Sequence, residues 1–149
     1  MSLIIRQILK DVTFNILETM FFSLPEPYEE GEPNQAWDLC SSVNLNGSDH
    51  LTLRILLSKD LAMKLASDFL GREHDEITAE ALLDMMKEMA NMIGGNLITR
   101  LDSSTDLVLN IPESRFVANG DAHGFQQDDR ILIQVGDRFM VIAWGRETI

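Results

Sequence analysis

The sequence predicts an α+β fold in which long α-helices pack on a mostly antiparallel β-sheet. Three segments, near 3–22, 59–70 and 78–101, have apolar residues at helical spacing, and other segments have them at alternate positions. Short turns join several of the alternating segments, which favours antiparallel pairing. The 149 residues contain no linker long enough to divide them, so we expect a single domain over 1–149.

The first predicted helix, residues 3–22, carries an apolar stripe. Its members are Ile5, Ile8, Leu9, Val12, Ile16 and Met20. The segment after it, 23–35, reads S-L-P-E-P-Y-E-E-G-E-P-N-Q and holds three of the four prolines and four glutamates. Proline lacks the backbone N–H that a helix interior or a central strand uses, so this acidic segment is predicted to be a surface loop.

Strand patterns occur in two places. The first is a hairpin whose strands, 37–45 and 51–57, flank a turn at 46–47. The second follows the long helix and comprises four segments, 106–112, 114–120, 131–135 and 138–144. Gly136-Asp137 joins the last two segments and is a two-residue turn of the type found in β-hairpins.

Capping residues mark the ends of the other two predicted helices. Ser58 is suited to cap the N-terminus of the helix over 59–70, and Gly71 is suited to end it. Thr78 is suited to cap the long helix over 78–101.

That long helix contains residues 84–97, D-M-M-K-E-M-A-N-M-I-G-G-N-L, and carries two stripes. The apolar stripe, predicted to face the sheet, consists of Leu82, Met86, Met89, Ile93 and Leu97. Asp84, Glu88, Asn91 and Gly95 fall at steps of four, three and four, so they form a second, polar stripe. On pattern alone such a stripe is typical of a solvated helix face.

The adjacent glycines of this helix, Gly94 and Gly95, need an explanation. Two glycines in a helix interior cost about 2 kcal/mol relative to alanine. One interpretation is structural: a neighbouring element packs closely over Gly94, or the helix ends or kinks there. The other is functional: Gly95 lies on the polar stripe and lets the backbone of another protein come close.

Charge and composition restrict the classes of partner. The 12 basic and 24 acidic residues give a net charge of −12, which repels nucleic-acid phosphates and anionic membranes, and no Lys/Arg cluster offsets it. No stretch approaches the roughly 18 apolar residues of a membrane span. The single cysteine, Cys40, cannot form an internal disulfide, and the N-terminus lacks a signal for secretion. We therefore expect a cytoplasmic protein without nucleic-acid or membrane partners.

A family resemblance suggests a function for the polar stripe. The run Asp84-x-x-x-Glu88-x-x-Asn91, followed by a glycine-containing helix end, a strand and Pro112, resembles the signature of the CheC/CheX/FliY family. Members of that family are phosphatases of chemotaxis response regulators. The single motif on the second-half helix is most similar to CheX.

The resemblance implies a role for each residue of the stripe. Asn91 would orient the water that attacks the aspartyl phosphate of a CheY-like response regulator. Glu88 would pair with the lysine of the partner's active site, while Asp84 and Gly95 would contribute to partner binding. The chain would need no cofactor of its own, since Mg²⁺ would be held by the partner.

Two functional classes stay open, along with the assembly state. The first is the phosphatase just described, and the second is a docking module that binds a receiver domain or a signalling or flagellar assembly without catalysis. CheX-like members also pair their subunits by joining sheets edge to edge, so the resemblance implies a homodimer.

Three weaker features are also present. Residues 8–15 overlay on 84–91 so that Asn15 matches Asn91 while Val12 stands in place of Glu88, which suggests either a degenerate second copy or two unrelated amphipathic helices. The three histidines, His50, His74 and His123, are far apart, and surface positions are favoured over a metal site. Cys40 is interpreted as a small packing residue rather than a nucleophile.

Overall fold

Three α-helices and seven β-strands form the described part of the chain in the computed structural model. The structure describes residues 2–31, 33, 35–48, 50–101, 106–118 and 129–145. The helices are α1 (Ser2–Thr19), α2 (Lys59–Leu70) and α3 (Ala79–Arg100), with a 3₁₀ turn at His74–Glu76. The strands are β1 (Pro25–Tyr28), β2 (Leu39–Asn46), β3 (His50–Leu57), β4 (Val108–Leu109), β5 (Glu113–Phe116), β6 (Asp129–Val135) and β7 (Arg138–Gly145).

The strands form one antiparallel sheet with helices on one face. The strand order is β1-β6-β7-β3-β2-β4, and β5 also pairs with β2. One face carries strand residues such as Val43, Leu53 and Ile142, which pack with residues of all three helices in the main core. Alternate strand residues, among them Cys40 and Leu56, point to the other face and form a smaller cluster. The predicted α+β class is therefore confirmed.

The predicted caps of α2 and α3 are confirmed. The Ser58 hydroxyl accepts a hydrogen bond from the Leu61 N–H at 3.3 Å, and Gly71 ends α2 in the left-handed conformation with φ 66°. The Thr78 hydroxyl accepts from the Ala81 N–H at 3.0 Å at the start of α3. These side chains satisfy backbone donors that a helix N-terminus leaves unpaired.

The first helix is shorter than predicted, because it ends at Thr19 rather than near residue 22. Phe21 is fully buried and stacks on Phe69 with ring centroids 4.9 Å apart. Phe22 has a φ of 54°, a left-handed conformation that leaves the helical path. The apolar pattern continues past the helix because Phe21 belongs to the core and not to the helix.

The prediction of a surface loop over 23–35 is wrong for its first part. Pro25–Tyr28 form β1, which pairs antiparallel with β6 and lies at the edge of the sheet. Proline is tolerated at an edge because half of the backbone groups there face away from the sheet. The prolines that argued against a central strand were compatible with this edge position.

The strands predicted over 106–112 and 114–120 are shorter in the structure. Among the described residues 106–118, only Val108–Leu109 and Glu113–Phe116 are strands, and both pair with β2. Residues 119 and 120 of the second predicted segment lie outside the described residues. Before them, the Asp106 carboxylate accepts hydrogen bonds from the N–H and the hydroxyl of Ser48, each at 2.9 Å. These bonds hold the pKa of Asp106 below its ordinary value and tie the segment before β4 to the β2–β3 turn.

The sheet is built from two similar units. Each unit contains a helix, a short strand and a hairpin: α1, β1 and β2–β3 in one, α3, β5 and β6–β7 in the other. The short strand of each unit pairs with the first hairpin strand of the other unit, and β3 and β7 meet at the centre. This topology places α1 and α3 in equivalent positions, in agreement with the sequence echo between them.

Candidate functional site

The buried face of α3 is the one that the sequence predicted. Leu82, Met86, Met89, Ile93 and Leu97 are each no more than 2% exposed and belong to the main core. Ser114 on β5 makes a contact with α3 that the sequence did not indicate. Its hydroxyl donates a hydrogen bond to the Leu83 carbonyl at 2.7 Å. This bond fixes α3 to the sheet about one turn before Glu88.

The polar stripe of α3 faces away from the core. Asp84, Glu88 and Asn91 are exposed, and Gly95 is partly exposed. Glu88 and Asn91 are three residues apart, a spacing that places their Cβ atoms about 5–6 Å from each other. Neither side chain has a hydrogen-bond or ion-pair partner among the residues described, so both present their polar groups outward.

Lys87 flanks this stripe, a neighbour to which the sequence interpretation gave no role. Its ammonium lies 3.9 Å from the Asp84 carboxylate, and both side chains are well exposed, 46% and 66%. An exposed pair of this kind contributes little to stability. Among the described residues, Asp84 therefore has an ion-pair partner and Glu88 has none.

The two glycines of α3 have different surroundings. The helix continues through both to Arg100, so neither ends it. A Cβ on Gly94 would lie 2.7 Å from Leu109 Cδ1 and 3.2 Å from Val43 Cγ1, whereas the nearest atom to a Cβ on Gly95 is Leu109 Cδ2 at 4.0 Å. The structural interpretation therefore holds for Gly94, and packing does not explain Gly95.

This difference predicts different effects on stability for two alanine variants. Gly95→Ala should raise the free energy of unfolding by about 0.5–1 kcal/mol, because alanine favours a helix and the added methyl makes only an ordinary contact with Leu109. Gly94→Ala should be neutral or destabilising, since Leu109 and Val43 must move to admit the methyl. Urea denaturation followed by circular dichroism measures both. Equal stabilisation by the two substitutions would contradict the packing explanation for Gly94.

On α1, the position equivalent to Glu88 has no acid. Val12 is 2% exposed and belongs to the core, while Asn15 is exposed. An exposed asparagine without a neighbouring carboxylate provides only half of the pair seen on α3. The structure thus brings Glu88 and Asn91 together on one surface and offers no equivalent pair at 12 and 15.

The weaker candidates do not assemble into a site. Burial raises the pKa of the Cys40 thiol to about 11, against the opposing charges of Arg115 and Arg54, so the thiol is neutral near pH 7 and is not an activated nucleophile. His50 and His74 are exposed, and His123 lies outside the described residues. Within the described ranges, no three His, Cys, Asp or Glu side chains are grouped so that they could hold a metal ion. The helices of those ranges include none long and apolar enough to cross a membrane.

Comparisons with known proteins agree with this fold. The chain is similar to the crystal structure of the chemotaxis protein CheX from Desulfovibrio desulfuricans, with 18% identity, a TM-score of 0.72, and 96% of this chain and 99% of that chain covered. It is similar to CheX from Vibrio vulnificus, with 20% identity, a TM-score of 0.70 and coverage of 95% and 96%. The CheX-CheY-BeF3-Mg complex from Borrelia burgdorferi gives 18% identity, a TM-score of 0.74 and coverage of 95% and 97%.

A family model assigns the chain more directly. The search of curated proteins gave no match. The model described as "Chemotaxis phosphatase CheX" matches residues 39–133, well over half of the chain, and this range includes α3 with its polar stripe. The chain therefore belongs to the CheX family.

Proposed function

We propose that the protein hydrolyses the aspartyl phosphate of a CheY-like response regulator, with Asn91 and Glu88 as its catalytic residues. The observation that carries the proposal is the exposed Glu88–Asn91 pair on a helix firmly packed on the sheet. Two further facts support it. The family is described as a chemotaxis phosphatase, and the similar protein from Borrelia burgdorferi was solved in a complex with CheY.

The chemistry of an aspartyl phosphate suits so simple a site. An acyl phosphate is already reactive, so the catalyst needs no nucleophile of its own and no covalent intermediate. Phosphoryl transfer depends mainly on positioning the attacking water in line with phosphorus and on stabilising charge. A carboxamide can hold a water because it both donates and accepts hydrogen bonds without titrating. Asn91 supplies such a group.

Glu88 performs a different task. Its carboxylate contacts the lysine of the response regulator's active site and thereby sets the position of α3 against the phosphoryl group. A charge-assisted hydrogen bond of this kind is stronger than a neutral one, and the interface excludes the water that weakens it. Asp84 contacts the partner one turn away, and Gly95 lets the partner's backbone approach because its side of the helix is open.

The divalent ion of the reaction belongs to the partner. Mg²⁺ prefers carboxylate and phosphate oxygens in an octahedral arrangement. The polar stripe contains only two carboxylates, those of Asp84 and Glu88, and the Asp84 carboxylate forms an ion pair with Lys87. We therefore assign no metal to this chain's own residues, which act on the substrate through hydrogen bonds and shape.

The test is the decay of a phosphorylated receiver domain with and without this protein. Phosphorylated receivers from the same organism are followed by loss of radiolabel, and accelerated loss is expected for at least one of them. Binding is measured separately with a receiver carrying beryllofluoride, a stable mimic of the acyl phosphate. A protein that binds the mimic but leaves the decay rate unchanged is a docking module and not a phosphatase.

The equivalent position on α1 provides an internal test. Asn15→Ala should leave phosphatase activity within a few-fold of the parent, because Val12 removes the acid that the pair requires. The same decay assay measures this. A loss as large as that of Asn91→Ala would show that the assignment of the active site to α3 alone is wrong.

We also propose that the protein is a homodimer joined along the edge formed by β4 and β5. The other edge, β1, contains Pro25 and Pro27, which cannot donate to a neighbouring strand. The edge of β4 and β5 instead exposes Val108, Ile111 and Phe116, which are 63%, 87% and 44% exposed. A second copy would cover these apolar side chains and continue the sheet.

Light scattering at micromolar concentration should therefore give about twice the chain mass of 16.8 kDa. Ile111→Lys should shift the protein toward the monomer, because a charge would be buried at the joined edge. Leu24→Lys serves as the control, since Leu24 is 82% exposed and lies outside this edge. A parent protein that remains at the monomer mass would contradict the proposal.

A further inference from the structure

A cleft of about 490 Å³ lies beside the edge of the sheet and is separate from the polar stripe of α3. Its lining consists of Cys40, Ser42, Arg54, Lys87, Pro112, Glu113, Ser114 and Arg115. The volume falls within the range of sites for small molecules, about 300–1,000 Å³. The polar lining suggests that the occupant is itself polar.

The register of the sheet explains how the cleft is built. Arg115 pairs with Cys40, and Glu113 pairs with Ser42, which in turn pairs with Arg54. Residues paired across antiparallel strands project from the same face, so these five side chains share the face that the helices leave uncovered. Joining sheets edge to edge continues the sheet and does not itself cover this face.

The charge of the cleft opposes the charge of the chain. Arg54, Arg115 and Lys87 contribute three of the twelve basic residues, and Glu113 is the one acid among the described residues of the lining. They come from β3, β5 and α3, so the fold and not the sequence gathers them. In a chain of net charge −12, a local excess of positive charge attracts small anions that the rest of the surface repels.

The remaining lining suits an oxyanion. The Ser42 hydroxyl can donate a hydrogen bond, whereas the Ser114 hydroxyl already donates to the Leu83 carbonyl. Each guanidinium has five N–H donors, so it can serve more than one acceptor. Arginine forks match the geometry of phosphate and carboxylate groups. The Cys40 thiol is neutral because its burial raises its pKa to about 11, so it adds no negative charge to the floor.

We propose that this cleft binds a small organic oxyanion of charge about −2, such as a phosphate monoester or a dicarboxylate, held by Arg54, Arg115 and Lys87. The site does not depend on the proposed phosphatase activity, since none of its residues belongs to the Glu88–Asn91 pair. Lys87 links the two surfaces, because it lines the cleft and also lies 3.9 Å from Asp84 of the stripe.

The other unit of the fold offers a comparison. A cleft of about 220 Å³ lies against α1, β1 and β6, the counterparts of α3, β5 and β2, and its lining includes Arg6, Lys10, Glu29 and Arg130. There the Arg6 guanidinium donates to the Arg130 carbonyl at 2.9 Å and stacks over the Trp144 ring. This cleft is less than half as large, and Lys10 provides a matched charge for a control variant.

Binding is tested with glycerol phosphate and succinate, titrated separately into the unphosphorylated protein without a receiver. Calorimetry gives the affinity, and amide chemical shifts give the location. Saturable binding of either anion is expected, with shifts centred on β2, β3 and β5. Binding of glycerol phosphate alone identifies a phosphoryl site, and binding of succinate alone identifies a dicarboxylate site. Plain glycerol should cause no shift.

Three variants test whether the anion binds in this cleft. Arg115→Gln and Arg54→Gln should each weaken binding about tenfold or more, because each removes a charge-assisted hydrogen bond. Lys10→Gln removes the same charge from the counterpart cleft and should leave the affinity within about twofold. Arg115 is exposed on an edge strand, so its variant tests the proposal even where Arg54→Gln does not fold. No saturable binding below about 10 mM, or equal weakening by Lys10→Gln, would overturn the proposal.

Discussion

Asn91→Ala is expected to bind the phosphorylated response regulator nearly as well as the parent and to lose about 10²-fold or more of its acceleration. The amide of Asn91 acts on the attacking water, an interaction that gains its full strength only in the transition state. Removing such an interaction lowers turnover without weakening the ground-state complex. Asn91 is exposed, so the substitution should leave the fold and its stability intact.

Asn96→Ala is the matched control for this variant. Asn96 is also an exposed asparagine of α3, but it lies off the polar stripe and its amide donates to the Met92 carbonyl at 2.8 Å. Its substitution should leave turnover within about twofold of the parent. Affinity is measured with the beryllofluoride-loaded receiver, and turnover with the phosphorylated one. If Asn91→Ala accelerates decay as well as the parent does, the proposed role of Asn91 in positioning water is wrong.

Glu88→Ala should behave differently, because both binding and turnover should fall. An ion pair with the partner's lysine supports docking and also positions α3, so its loss should raise the dissociation constant about tenfold and lower turnover further. The difference in affinity between the parent and Glu88→Ala should be smaller at high salt. Ions weaken the ion pair that the parent forms, and the variant has no such pair to weaken. Titrations at two ionic strengths measure this dependence.

A control for net charge is available on α1. Glu18 is exposed there, and Glu18→Ala removes one negative charge without touching α3. Its affinity for the receiver should match that of the parent at both ionic strengths. If Glu88→Ala retains full affinity, or if Glu18→Ala weakens binding equally, the proposed contact with the partner's lysine is wrong.

Local patterns predicted much of this fold because the responsible forces are local. The spacing of Leu82, Met86 and Met89 reflects one buried face of a helix, and the caps at Ser58 and Thr78 satisfy backbone donors within three residues. The exposure of Glu88 and Asn91 followed from the same spacing. Their proposed roles came from the family resemblance and not from the periodicity.

The features that the sequence missed depend on contacts between distant residues. Pro25 and Pro27 are compatible with a strand only because β1 lies at the edge of the sheet, which composition does not reveal. For Gly94 the sequence suggested close packing, but not the residues responsible, Leu109 and Val43, which lie on two different strands. The cleft brings together residues from β2, β3, β5 and α3, so no short motif could have marked it.

The central claim is that Asn91 makes this chain a catalyst and not only a binding partner. The most direct measurement is the release of phosphate from excess phosphorylated receiver by a small amount of the parent, Asn91→Ala and Asn96→Ala proteins. We predict that the parent and Asn96→Ala each release many phosphates per chain above the spontaneous rate, while Asn91→Ala releases few despite binding normally. A parent protein that binds the receiver but releases phosphate only at the spontaneous rate would contradict the account.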